Sequence, residues 1–265
     1  MFPLPTKTLP ADAVELSELL GQSLDRLFAK LSNPVSVRAT AYPQIDELRL
    51  KLDGAELRPH PPRAPVLHGT PSPAFAVGLL EISGTEIAAG PAALNLNLSA
   101  TDVRLAQTRS ENDEVVLTLQ SAADGRVEIS AAKTDLEQAI AAFAKAEAGK
   151  HGVGIDQVHL KVNPRGERGL DAEVQLRTKK LFLTTTIRLS AQLDLTPDLQ
   201  ATLSEVRCSG DGAMGAMACS FLEPHLQKVN GRSLSLLALP LGEIRLRDVR
   251  LAANERLTVS AEFGA

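Results

Sequence analysis

Hydrophobic and polar residues change their period several times along this chain, and each change marks a new element. From Ala11 to Leu31, Leu16, Leu20, Leu24, Leu27, Phe28 and Leu31 recur at helical spacing, with Glu15, Glu18, Gln22 and Lys30 opposite them. This predicts an amphipathic helix. Asn33-Pro34 ends it, because proline lacks an amide hydrogen and restricts the residue before it. The period then drops to two. Leu48, Leu50 and Leu52 alternate with Arg49, Lys51 and Asp53, which reads as a half-buried strand. Residues 59–73 hold six prolines and predict a long irregular loop. Alternation resumes at Leu94, Leu96 and Leu98, and again at Val103/Leu105, Val115–Leu119 and Val127–Ile129.

Thr134-x-x-Glu137 has the form of a capping box. It opens a second helix with Leu136, Ile140 and Phe143 on one face, closing near Gly149. Val158, Leu160 and Val162 form a strand broken by Asn163-Pro164-Arg165-Gly166. Leu170, Ala172, Val174 and Leu176 alternate with charged or polar residues. After a Thr-Lys-Lys turn, strict period two runs from Leu181 to Leu195. At about 3.3 Å per residue that second run is about 50 Å long, whereas typical strands hold only about five or six residues. A third helix follows Asp211-Gly212, with Met214, Met217, Ala218, Phe221, Leu222 and Val229 on one side and Pro224 inside it. Further strands fall near Leu234–Leu239, Ile244–Leu251 and Leu257–Phe263. Thr101-Asp-Val-Arg-Leu-Ala106 is echoed by Arg247-Asp-Val-Arg-Leu-Ala252, as in a duplicated strand–turn–strand unit.

Composition narrows the function classes. There is no Trp, one Tyr (Tyr42) and seven Phe, too few rings for base or sugar stacking. The net charge is −4 and no Lys/Arg cluster is dense enough to track phosphates, which argues against nucleic acid as a partner. Two cysteines make no disulfide scaffold. Cys208 and Cys219 read first as two buried thiols, with a disulfide as the alternative. No apolar run approaches eighteen residues and no export signal opens the chain. As given, the chain reads as cytoplasmic, or as periplasmic or membrane-peripheral if a signal was removed.

Candidate chemistry is sparse. Among His60, His68, His151, His159 and His225 no pair has i,i+4 spacing, and neither cysteine sits in a C-x-x-C, so no metal site is expected. There is no G-x-S-x-G elbow. Gly210-x-Gly212-x-x-Gly215 matches G-x-G-x-x-G, but a dinucleotide site also needs a βαβ unit and a later acidic residue. The flanks look antiparallel, and Lys228-Val-Asn-Gly-Arg follows. Close packing of a helix start on a sheet is the better reading. Asp46/Glu47 and Glu111/Asp113 fall at turns or on wet strand faces, as solvated charge. No catalytic residue and no cofactor is expected, so the chain does not read as an enzyme.

What remains is a set of aliphatic faces, to which Met214 and Met217 add flexible, polarisable surface. The expected ligand-binding residues are Leu20, Leu24, Leu27, Leu181, Leu183, Ile187, Leu189, Met214, Met217 and Phe221. The expected ligand is a lipid or other hydrophobic small molecule. Peripheral membrane contact through the first helix, with Arg26 and Lys30 toward headgroups, is a lesser option. The alternative is a structural or protein-interaction module whose core is filled by its own side chains.

The alternating strands, the helix starting Thr134-Asp-Leu-Glu-Gln-Ala-Ile140 and the ending Leu239-Pro-Leu-Gly-Glu-Ile-Arg-Leu-Arg-Asp-Val-Arg-Leu251 resemble bacterial LmeA-like phospholipid-binding proteins. Those are similar in architecture to the tubular lipid-binding superfamily, which includes the bactericidal/permeability-increasing proteins. The resemblance covers residues 35–263. It implies an α+β fold in which a long, highly curved antiparallel sheet wraps around one long helix, with two further helices and a lipid groove. Residues 1–34 would then be an arm and an amphipathic helix, and residues 35–265 a single elongated domain. The resemblance implies carriage of phospholipid-like molecules without catalysis.

Overall fold

The computed structural model describes residues 1–149, 154–180, 183–196, 200–235 and 246–265. They form two compact units. Among them, residues 1–130, 246–248 and 260–265 belong to one unit, and residues 131–149, 154–180, 183–196, 200–235 and 249–259 to the other.

In the first unit the chain runs β1 (Phe2–Pro3), α1 (Ala13–Leu27), β2 (Phe28–Ala29), β3 (Val35–Arg38), β4 (Gln44–Lys51), β5 (Glu56–Leu57), β6 (Leu67–Ala89), β7 (Ala92–Ser110) and β8 (Val115–Ser121), and enters β9 (Asp124–Ala132). Helix α1 starts where Asp12 accepts the N–H groups of Val14 and Glu15, both at 2.9 Å. That arrangement satisfies two of the amides a helix start leaves open. The helix ends at Leu27 rather than Leu31, because Phe28–Ala29 turns extended and pairs with β5. Leu16, Leu20 and Leu24 lie in a core with Leu48, Leu50, Val77, Leu105 and Leu117. Tyr42 stacks obliquely on Phe75 with centroids 5.6 Å apart, and its hydroxyl donates to the Pro10 carbonyl at 2.6 Å. Burial, then the nearby Glu15 and Asp12 carboxylates, push the Tyr42 phenol up to about 12.

Several expectations change here. β4 runs parallel to β6, from Gln44 opposite Ala76 to Lys51 opposite Ser83. The proline-rich stretch is not a loop throughout, since β6 starts at Leu67 and contains Pro71 and Pro73. β4 reaches only Ala76, so the first part of β6 pairs with β7 alone among the described residues, and the register skips between His68/Ser72 and Pro73/Phe75. Proline is tolerated in a sheet at such edges and bulges. Glu47 is not solvated charge either: it is buried, and Arg38 at 3.1 Å and Arg49 close on its carboxylate.

The second unit holds α2 (Lys133–Gly149), β10 (Gly154–Pro164), β11 (Gly169–Lys180), β12 (Leu183–Leu195), β13 (Gln200–Gly210), α3 (Gly212–Val229) and β14 (Ser233–Ser235). The strands form one antiparallel sheet in chain order. β15 (Leu246–Ala253) and β16 (Arg256–Gly264) follow, and each of them, like β9, has residues in both units. The bounds of α2 and α3 match the expected helices.

A long curved sheet wrapped around one long helix is not what the structure shows. The chain is mostly sheet, divided between two sheets, and α1, α2 and α3 have only 15, 17 and 18 residues. Alternation states which face of a strand is oily; it does not state which strand lies beside it.

The echo noted in the sequence is a backbone feature. Asp102 and Asp248, at the same place in the two hexapeptides, have φ of 47° and 48°. Glu86 (54°) in Thr85-Glu86-Ile87 and Glu205 (51°) in Ser204-Glu205-Val206-Arg207 repeat it. A left-handed residue inside a strand is uncommon outside glycine and marks a local break in the ladder. At Glu205 the break is a bulge: the register steps from Ser190 opposite Arg207 to Gln192 opposite Ser204.

Candidate functional site

The bulge at Glu205 decides what the second sheet presents to its helices. Below it, Ala201 and Leu203 lie opposite Leu195 and Leu193; above it, Cys208 and Gly210 lie opposite Leu189 and Ile187. One extra residue thus moves the apolar face of β13 from odd to even positions. Two continuous cross-strand rows result. One is Leu160–Val174–Leu189–Cys208 and the other Val158–Leu176–Ile187–Gly210.

Helix α3 lies on the β13 and β12 end of these rows. A Cβ on Gly210 would stand 2.4 Å from the Gly215 backbone, and one on Gly215 would stand 2.5 Å from Gly210. Both glycines of that pair are therefore required for close approach of helix and strand, the role expected from the sequence. Thr185 donates its hydroxyl to the Asp211 carbonyl at 2.7 Å, and Arg188 pairs with the Asp211 carboxylate at 2.9 Å. Cys208 and Cys219 form a disulfide between β13 and α3. This corrects the expectation of two separate thiols, which rested on a cysteine count and carried no information on which face of β13 Cys208 occupies.

Helix α2 lies along β10, the edge strand. Glu137 does not serve only its own helix, since its Oε1 accepts the Leu160 N–H at 2.7 Å and lies 2.9 Å from His159 Nδ1. A free strand edge is thereby capped by a side chain.

The two helices stand at opposite ends of the rows, with β11 and β12 between them. Leu176, Ile187 and Cys219 are buried, and around them Ile140, Ala144, Val158, Val174, Leu189, Cys208, Ala218 and Leu222 are only partly covered. Beside the row of α3 that meets the sheet, Met214, Met217 and Phe221 form a second stripe at i, i+3 and i+7. Met217 is 60% and Phe221 74% exposed, and Phe143 on α2 is 71% exposed. Phe143 was expected on one helical face with Leu136 and Ile140, and its ring there stands in solvent.

The expected ligand-binding residues therefore separate. Leu20 and Leu24 are buried in the first unit's own core and line no open surface, and Leu27 is only partly exposed. Ile187 and Leu189 lie in the floor of the second unit, and Met214, Met217 and Phe221 are at its surface. Leu181 and the Leu183 side chain lie outside the described residues. Val158, Val174, Ile140 and Phe143 were missed. The alternation of Val158 and Val174 was visible in the sequence; their incomplete cover was not.

On the wet face of the same sheet a shallow cavity of about 260 Å³ is lined by Asp171, Glu173, Glu205, Arg207, Ser190 and Gln192, among others. Glu205 pairs with Arg207 and Glu173 accepts from Gln175 at 2.6 Å, whereas Asp171 Oδ1, shielded from solvent 3.6 Å from Arg165, accepts no hydrogen bond among the described residues. Among the described residues no group of three His, Cys, Asp or Glu side chains is placed to hold a metal, and no helix is long and apolar enough to cross a membrane.

No family model, no curated protein and no solved structure matches this chain.

Proposed function

We propose that the second unit binds a hydrophobic ligand, a lipid acyl chain by preference, without catalysis. The observation that carries this reading is an apolar sheet face left partly uncovered between two helices, with Val174 and Leu189 at its middle. Its neighbour is a flexible Met214–Met217–Phe221 stripe standing in solvent. Each methylene moved from water onto such a surface contributes about 0.8 kcal/mol, offset in part by the ordering of ligand and side chains. Methionine and small residues suit a guest of variable shape. The disulfide between Cys208 and Cys219 favours an oxidising compartment for this activity.

The self-filled module is a second reading, favoured by the first unit, where Leu16, Leu20, Val103 and Val115 are wholly buried. Native mass spectrometry of gently purified protein, followed by lipid extraction, separates the two. A binder carries added mass that a Met217→Ser/Phe221→Ser variant loses. A bare mass, together with no uptake of a fluorescent fatty-acyl probe, sinks the proposal.

A further inference from the structure

We infer that the run Pro61-Pro62-Arg63-Ala64-Pro65, between β5 and β6, is a docking peptide for another protein, one whose groove is lined by aromatic rings and edged with carboxylates. The inference concerns the first unit and stands apart from the acyl-binding reading. A proline fixes its own φ at about −65° and pushes the residue before it out of the helical region. Pro61 is under both constraints, Pro62 and Pro65 under the first, and Ala64 under the second. Such a run takes the left-handed polyproline helix, which needs no internal hydrogen bonds. Residues 61–66 accordingly carry no helix, strand or turn, and none of residues 61–65 shares a backbone–backbone hydrogen bond.

Both ends of the segment are tied down. Arg58 donates its backbone N–H to the Leu27 carbonyl at 2.9 Å and its Nε–H to the Asp25 carbonyl at 2.8 Å, which caps the last turn of α1. Val66 donates its N–H to the Glu111 carboxylate at 2.8 Å. What lies between is open. Pro61, Pro62, Arg63 and Ala64 are exposed, Pro65 is partly buried, and none of them belongs to the core around Leu48 and Leu105. A segment stiffened by proline and held at both ends has little conformational freedom left to lose when a partner binds.

With about three residues per turn, Pro62 and Pro65 share one edge and Pro61 and Ala64 the next, ~9 Å apart within each pair. The pairs Pro61-Pro62 and Ala64-Pro65 thus make two apolar ridges of the kind that seat between aromatic rings. Arg63 falls on the third edge and has no ion-pair partner among the described residues. Arg58 and Arg63 are the only charged residues between Glu56 and Glu81, on a chain of net charge −4. Carboxylates beside the partner's groove complement Arg63. A second copy of this chain does not suit that role. It has no Trp, and its one Tyr, Tyr42, is held by Pro10 and Phe75, so it offers neither ring to such a groove.

The lack of Trp in the sequence also makes the test direct, because all Trp emission then comes from the probe. The probes are an SH3 domain and a WW domain, each with a Trp in its aromatic groove, and the whole chain is titrated into each. A saturable change in emission is expected with at least one of them, with a Kd below about 1 mM. Pro62→Ala/Pro65→Ala is expected to weaken binding about tenfold, and Arg63→Gln to make it less sensitive to salt. Pro71→Ala/Pro73→Ala, which alters two prolines inside β6, should leave it unchanged. Unaltered hydrogen exchange in α1 reports that each variant is folded. No saturable change with either probe overturns the inference. So does binding that survives Pro62→Ala/Pro65→Ala, or that Pro71→Ala/Pro73→Ala weakens as much. None of these outcomes bears on the acyl surface of the second unit.

Discussion

In the first unit α1 lays Leu16, Leu20 and Leu24 against Leu48, Leu50 and Leu105, and these side chains are almost wholly buried. In the second unit Leu160, Leu176, Ile187 and Cys219 are buried, but Val158, Val174 and Leu189 beside them are only partly so. The difference lies in the cover. α3 offers mainly small residues to the sheet, Gly215, Ala218 and Cys219 with Leu222 as the one large side chain among them, and turns Met217 and Phe221 outward. Small residues let a helix approach closely but fill little space, so the middle of the sheet keeps exposed aliphatic area. A closed core needs large side chains from both partners, and a sheet pattern alone does not supply them.

The strongest way to break this comparison is truncation. Leu20→Ala is expected to lower stability by about 4 kcal/mol, because its site is fully packed. Leu189→Ala, at a site that is only partly buried, is expected to lose less, about 1 kcal/mol. Denaturant unfolding monitored by peptide-resolved hydrogen exchange gives both values, and equal losses would mean the second unit is as closed as the first. Next in size is the disulfide. Cys208 and Cys219 are eleven residues apart in sequence, and removing a link of that span is expected to destabilise the region by about 3 kcal/mol. Cys208→Ser/Cys219→Ser should speed exchange in α3 and β13 and leave α1 unaffected; unchanged exchange in α3 would show that its small-residue contacts suffice.

A smaller effect, confined to alkaline solution, belongs to the first unit alone. The Tyr42 phenol is held at about 12, above the ordinary phenol value of 10.0, chiefly by burial. The unfolded chain therefore loses this proton first. The contribution is complete below pH 10 and is lost as pH rises from 10 toward 12. Tyr42→Phe should flatten that part of the stability profile, read by chemical denaturation on either side of the window. Smallest of all is Phe221→Ser. With its ring in solvent it is expected to change stability by less than about 0.5 kcal/mol while reducing uptake of a fluorescent acyl probe. A large loss of stability would place the ring in a core and remove it from the proposed surface.

Local pattern by itself determined the helices over 133–149 and 212–229 and the oily faces of β4, β10, β11 and β12. Helical and two-residue periods are properties of consecutive residues, and neighbours in space do not alter them. It also identified Met214, Met217 and Phe221 as one helical stripe, and Gly210 and Gly215 as a place for close packing. Only the tertiary structure decided the rest. Pro71 and Pro73 join a strand because β7 lies beside them and β4 does not reach them. Glu47 is buried because two arginines close on it. The bulge at Glu205 turns Cys208 onto the same face as Leu203, where it meets Cys219. Each depends on partners distant in sequence, and a one-residue slip in pairing reverses every side chain beyond it. The open floor between α2 and α3 is of the same kind. It is set by what the covering helices leave bare, and no run of consecutive residues records that.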